Sequence, residues 1–302
     1  MKTTTLRNYV DLYESYQGIR IAAQNRINPN VPRNKGVKLD PEFVELCNNS
    51  IKQCKKLEDE AIKNPYVRNL LNTRYPIYEW IVAQRGLADV RAAGLIAYIE
   101  PIERFDSVSK LWTYSGFGVM DICQTCNKRV VDYNSRYQWI ENTTKRLMEQ
   151  NEKKLTGKSS EKTLRAKAEK MLCSCDKPDA KRIGQRKVAG QIANFSPNLK
   201  KQVFLCVDQF VKQGDFYKEY YKECKENYMN RPDLKEEMES KKKGACKGTA
   251  HIDAMARRKV AKMFLSHLWT EWRTLEGLPV TDPYAISVLG HKDYIKPPHS
   301  LQ

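Results

Sequence analysis

Four cysteines fall into two tight pairs, Cys123-Gln124-Thr125-Cys126 and Cys173-Ser174-Cys175. A Cys-x-x-Cys turn delivers two thiolates to one tetrahedral ion, and the Cys-x-Cys pair is tighter still. Four sulfur ligands close the coordination shell. The spacing therefore predicts a structural zinc, with no open position for a catalytic water. The stretch between the pairs is long, and a helical insertion anchored at both ends by one ion accounts for it. Four unrelated thiols are the competing reading. The chain has nine cysteines, an odd number, and Met1-Lys2-Thr3-Thr4-Thr5 opens no secretory signal. Disulfides are not expected. The expected compartment is intracellular, cytoplasmic or nucleoid-associated. Cys47, Cys54, Cys206 and Cys224 lie at apolar helical positions and read as core, while Cys246 has no evident role.

The second chemistry is charge. Lys+Arg number 53 against 36 Asp+Glu, a formal net charge of +17. Such an excess points to a polyanionic partner, although a lysine-rich proteome produces it too. The basic residues cluster at Lys181, Arg182, Arg186 and Lys187, and again at Arg257, Arg258, Lys259 and Lys262. Backbone donors accompany them. Gly86-Leu87-Ala88 separates two apolar helical runs, and Gly116-Phe117-Gly118 follows a short helix. A glycine turn feeding a helix N-terminus leaves N–H groups at the positive end of the helix dipole, which suits phosphate. Arg91 lies close to the first turn. The two turns together read as a double helix-hairpin-helix contacting the DNA backbone. An ordinary αα-hairpin in a helical core is the competing reading. Ala88 stands where the second glycine would be. Asp89 makes a good N-cap, but its charge competes with phosphate.

Other chemistries find no support. His267 lies on an apolar stripe and reads as a satisfied core histidine, and His251, His291 and His299 show no ligand spacing. There is no Ser/His/Asp set, no Walker loop and no carboxylate pair placed for two-metal chemistry.

The elements that would position these groups are helical. The fold class expected is all-α: a helical domain with tandem helix-hairpin-helix and a small cysteine-rich, zinc-stabilised insertion. Residues 1–40 hold an N-terminal helix and a linker. Tyr9, Leu12, Tyr13, Tyr16, Ile19 and Ala23 share the apolar face of that helix. Asp40-Pro41 opens an arm over 41–75, either half a coiled coil or a helix packed on its own domain. Along it Lys55, Lys56, Glu58 and Asp59 face water. Residues 76–120 form the double hairpin. Residues 121–180 form the basic, zinc-binding insertion with its four cysteines, and one helical stretch runs through it from Ser135 to Met171. Residues 181–277 are helical, with caps expected at Ser196 and Asp215, a charged loop from Arg231 to Gly248, and a long helix over Thr249–Leu275. Residues 278–302 are an irregular tail. The 302 residues, 41% hydrophobic, suffice for a substantial core. No apolar run is long enough to span a bilayer, so no membrane association is expected.

The stretch Arg85-Gly-Leu-Ala-Asp-Val-Arg-Ala-Ala-Gly-Leu-Ile-Ala-Tyr-Ile99, with Arg104-Phe-Asp-Ser-Val-Ser-Lys-Leu-Trp-Thr-Tyr-Ser-Gly-Phe117, resembles the C-terminal helix-hairpin-helix domain of the DEDD-type insertion-sequence transposases, the bridge-RNA recombinase group. The resemblance begins near Phe43 and resumes at Asn198-Leu199-Lys200 and at Ala254-Met255-Ala256-Arg257-Arg258-Lys259. Three departures shape what it implies. The family's RNase H-like domain has no counterpart in Met1 to Asp40. Its catalytic serine aligns with Ala189, in Ala189-Gly190. The cysteine pairs lie outside its pattern. The resemblance thus implies a binding domain without strand chemistry. The function expected is non-catalytic contact with double-stranded DNA through Gly86, Leu87, Ala88, Arg91, Gly116, Gly118, Lys181, Arg182, Arg186, Lys187, Arg257 and Arg258. Zinc would sit on Cys123, Cys126, Cys173 and Cys175. An active recombinase or subunit using Ser115 or Ser196, and an RNA-binding protein, remain open. So does a homodimer.

Overall fold

The computed structural model describes residues 5–152, 157, 159–186, 193, 195–239, 248–281 and 295–301. Two compact units emerge: residues 1–106 with 201–302, and residues 107–200. The first boundary falls inside the 76–120 stretch. The second falls inside a helix, between Lys200 and Lys201.

The first unit is helical. It holds α1 (Thr5–Ile27), α2 (Pro41–Ile62), α3 (Pro65–Arg74), α4 (Ile77–Ala83) and α5 (Asp89–Ile99), then the greater part of α9 (Pro197–Gln213), α10 (Phe216–Asn230), α11 (Pro232–Glu239) and α12 (Thr249–Leu275). Asp40 caps α2 as expected, its carboxylate accepting from the Glu42 N–H at 3.1 Å. The core is aromatic. Trp80 of α4 stacks on Phe264 of α12, and Phe210 and Tyr217 close around the same ring. Trp80, Phe264, Trp269 and Trp272 are buried to the last atom or nearly so. Burying an aromatic of this size contributes a few kcal/mol, so this cluster anchors α4, α9, α10 and α12 together.

Three sequence expectations change here. The buried stripe of α1 is Leu6, Val10 and Ala23, while Leu12 and Ile19 are exposed. Glu58 does not face water. It is buried against Arg20, whose Nη2 lies 3.1 Å from Oε2. The charged stretch after Arg231 is not simply a loop, because Pro232–Glu239 is helical and Leu234 packs on Ile252.

The second unit is mixed. It holds α6 (Val108–Tyr114), β1 (Val119–Cys123), β2 (Arg129–Val130), α7 (Tyr133–Glu152), α8 (Glu161–Glu169) and β3 (Ala180–Gly184). The strands form one antiparallel sheet in the order β2-β1-β3. The chain is therefore mostly helical but not all-α. The sheet also extends past both ends of the 121–180 insertion. The single helical stretch expected from Ser135 to Met171 is two helices, α7 and α8, closed on a small core of Ile140, Leu147, Leu164, Ala168 and Leu172. Among the described residues, no helix is long and apolar enough to cross a membrane.

Candidate functional site

The strands and the turns between them bring four cysteines together. Cys123 ends β1, and Cys126 sits in the turn to β2. That turn is a knuckle: the Asn127 N–H donates to the Cys123 carbonyl at 2.9 Å, and the Cys123 N–H donates to the Lys128 carbonyl at 2.9 Å. Asn127 takes φ +54, a left-handed conformation that asparagine tolerates better than most residues. The second pair arrives along a parallel bridge. The Cys173 N–H donates to the Arg129 carbonyl at 2.8 Å, and Arg136 Nη1 reaches the Cys173 carbonyl at 3.2 Å. After Cys175 the chain enters β3, tied to the knuckle by the Gln124 N–H on the Asp179 carbonyl.

All four sulfurs lie within 4.8 Å of one another. Cys126 and Cys173 Sγ are 3.4 Å apart, and Cys123 and Cys175 Sγ are 3.9 Å apart. A tetrahedral zinc centre with four sulfur ligands requires ~3.8 Å between sulfurs, and these separations bracket that value. Cys123 and Cys173 are buried; Cys126 and Cys175 are partly exposed. Four thiols this close cannot all ionise unaided. The Cys126 backbone N–H pulls Cys123 down to about 6. Hydrogen bonding with the thiols of Cys173, Cys126 and Cys123 pushes Cys175 up to about 12. At Cys173 the Cys175 N–H pulls down, but burial and the thiols of Cys126 and Cys123 outweigh it. A divalent cation reverses this balance by deprotonating the thiols that bind it.

The residues expected at DNA divide into several groups. The second glycine turn is closed. The N–H groups of Gly116, Phe117 and Gly118 donate to the carbonyls of Thr113 and Trp112. Gly116, at φ +77, lies under Phe195 and Lys200, and Gly118 lies against Gln185 and Thr113. Both glycines serve close packing. At the first turn Gly86 has φ +97 and faces Gln209 and Gln213 of α9, Leu87 is buried, and Ala88 is exposed. Ala88 itself occupies the N-cap position of α5. Asp89 does not cap. Its carboxylate accepts from the Tyr78 hydroxyl at 2.8 Å and from Arg68 at 3.2 Å. Burial opposes ionisation there, but those two partners hold the carboxyl below its ordinary range.

Arg91 turns into its own unit and donates to Gln202 Oε1 at 2.8 Å, while Gln202 Nε2 donates to Glu14. Arg257 is paired with Asp253 and Asp208. Arg258 is half-buried, and burial lowers its pKa. In contrast, Lys181 and Arg182 lie on the exposed strand β3, where Arg182 pairs with Asp121 at 3.2 Å yet stays largely open to solvent, and Arg186 is exposed just beyond it. Lys187 lies outside the described residues, as do Ala189, Gly190, Cys246 and His291.

The hydroxyls of the recombinase reading have structural partners. Ser115 is fully buried and its Oγ donates to the Leu111 carbonyl at 2.8 Å. Ser196 caps α9, accepting from the Leu199 N–H at 3.2 Å. Asp215 sits at the N-cap position of α10 but makes no capping bond, and pairs instead with Arg85. His267 is a core residue. Its Nε2 faces the Ile295 carbonyl at 2.9 Å, which can only accept, so Nε2 carries the proton and Nδ1 accepts from the Tyr217 hydroxyl. The tail over residues 295–300 is thereby tied down, with Trp80 Nε1 on the Pro298 carbonyl at 3.0 Å.

Sequence reasoning missed the strands and Arg129, whose half-buried guanidinium lies over Trp139. Strands of two to five residues carry too few positions for periodicity to register. The chain matches no protein-family model, no curated protein and no solved structure with which it was compared.

Proposed function

We propose that this protein binds nucleic acid through the sugar–phosphate backbone, with duplex DNA as the first ligand, and performs no strand chemistry of its own. The observation that carries this reading is where the charge lies. Residues 107–200 hold 19 Lys and Arg against 9 Asp and Glu, a net +10 out of the chain's +17. Fewer than a third of the residues thus hold more than half the excess. Structural zinc on the four cysteines fixes the sheet from which Lys181 and Arg182 project. The transposase-like resemblance favours the same class of ligand. On this reading the contacts lie at Lys181, Arg182 and Arg186 rather than at Arg91, Gly116 and Gly118, with the exposed edge of the first hairpin at Ala88 as a secondary contact.

A second reading, single strands or RNA, draws on Tyr137. It is exposed on α7 of the basic unit, and Arg165 lies over its ring at 5.5 Å. An exposed ring beside a cation is a platform on which an unpaired base stacks.

Gel shifts with duplex DNA, single-stranded DNA and RNA of one length, at 50 and 200 mM salt, test both. Each phosphate contact contributes about 0.9 to the slope of log affinity against log salt. The double variant Lys181→Ala/Arg182→Ala should lower that slope by about two, for all sequences alike. Absence of binding to any of the three at 50 mM salt refutes the proposal. Tighter binding to single strands, lost in Tyr137→Ala, selects the second reading.

A further inference from the structure

A cleft of about 290 Å³ opens in the second unit, lined by Ser109, Lys110, Thr113 and Tyr114 of α6 and by Arg146 of α7. Its chemistry is one-sided. The lining offers two cations and three hydroxyls, and no carboxylate. Helical spacing explains how α6 presents them. Ser109 and Thr113 lie one turn apart, and so do Lys110 and Tyr114, so the four form two adjacent rows on one face. Arg146 faces these rows from α7. It forms no ion pair among the described residues and is partly buried. Arg129 lies nearby, its half-buried guanidinium over the Trp139 ring at 5.6 Å. Arg129 Nε is buried without a hydrogen-bond partner among the described residues. Two neighbouring arginines with so little neutralisation create a positive potential that an anion would relieve.

We propose that this cleft is a phosphate seat: one phosphate of a nucleic-acid strand sits between Arg146 and the α6 hydroxyls, with Lys110 completing the charge. This rests on the nucleic-acid reading above. The guanidinium fork suits two phosphate oxygens at once, and the hydroxyls of Ser109 and Thr113 supply further donors. A free phosphomonoester, such as a mononucleotide, offers the same chemistry. The cleft volume also leaves room for the attached nucleoside beside the Tyr114 ring.

The test uses the full chain with zinc content and helicity verified. Arg146→Gln should weaken binding of a 20-nucleotide strand or duplex about tenfold and lower the salt slope by about one. Lys145→Gln removes the same charge one residue along α7 from an exposed position and should have a smaller effect. A second arm titrates AMP and follows tryptophan fluorescence. If polynucleotides do not bind the parent protein but AMP does, and Arg146→Gln abolishes it, the seat stands with a mononucleotide in it, and the strand-binding reading falls. If folded Arg146→Gln binds strand and AMP as the parent does, the phosphate seat is refuted. Equal losses in Arg146→Gln and Lys145→Gln refute it too, since bulk charge then explains the effect.

Discussion

Removal of the metal should unfold the second unit while leaving the first intact. Three strands of five, two and five residues make a sheet too small to persist alone, and the cysteine quartet is what joins the β1–β2 turn to the entry of β3. With zinc at a thousandfold excess over its Kd, binding contributes ~4 kcal/mol to stability. The unit spans residues 107–200, a size at which 1 kcal/mol moves the melting point by roughly 4–8 °C. Chelation should therefore lower the melting point of this unit by about 16–32 °C. Differential scanning calorimetry with and without chelator should show one transition that moves and one that does not. Cys175→Ser should reproduce the shift and weaken zinc binding more than a hundredfold, since even outer-shell partners of a ligand are worth 10–100-fold. Cys206→Ser, a change in the core of α9, should leave zinc content unaltered. Binding must also release the protons of the raised thiols Cys173 and Cys175, so apparent affinity should fall at least about a hundredfold for each pH unit below 8. Protein purified without chelator that holds no stoichiometric zinc, or melts that ignore chelator, would overturn the metal assignment.

Three further outcomes follow from the packing. Arg91→Ala should cost about 1–2 kcal/mol of stability in the first unit, because the buried Gln202 Oε1 loses its donor, yet leave the salt slope of DNA binding unchanged; a slope lowered by one would return Arg91 to the DNA surface. Gly116→Ala should destabilise the second unit by about 2–4 kcal/mol, since the new Cβ would lie 2.7 Å from Phe195 Cδ2 at a positive φ; normal melting of that variant would show that the turn yields. Burial lowers His267 to about 4, so the unfolded chain takes up a proton that the folded chain resists. The neutral histidine's stability is fully present above pH 6.5 and is lost as pH falls towards 4, a decline of about 3 kcal/mol. Denaturant titrations across that range measure it, and the same decline in a folded His267→Asn protein would assign the pH dependence elsewhere.

Local chemistry was legible from the residues in order. The four clustered cysteines were visible because ligand spacing within each pair is a short-range property of a turn. The Asp40 and Ser196 caps were visible for the same reason, as each acts within three residues of itself. His267 read as core because its neighbours at helical spacing are apolar. What the fold alone decided is non-local. β1 and β3 pair across more than fifty residues of sequence, and nothing within either strand announces the other. The inward face of α1 follows from where α2 and α5 lie, so Val10 is buried and Leu12 is not. The glycine turns illustrate the limit most clearly. Their sequence permits N–H groups free for phosphate, but whether those groups are free depends on how the turn closes and what packs against it. At Gly116, Phe117 and Gly118 the N–H groups are taken by the carbonyls of Thr113 and Trp112 within the turn itself, and Phe195, Lys200 and Gln185, from far along the chain, pack against the two glycines. Arg91 and Arg257 follow the same logic: a cation's availability to a ligand is set by the partner it already has, and tertiary structure supplies that partner.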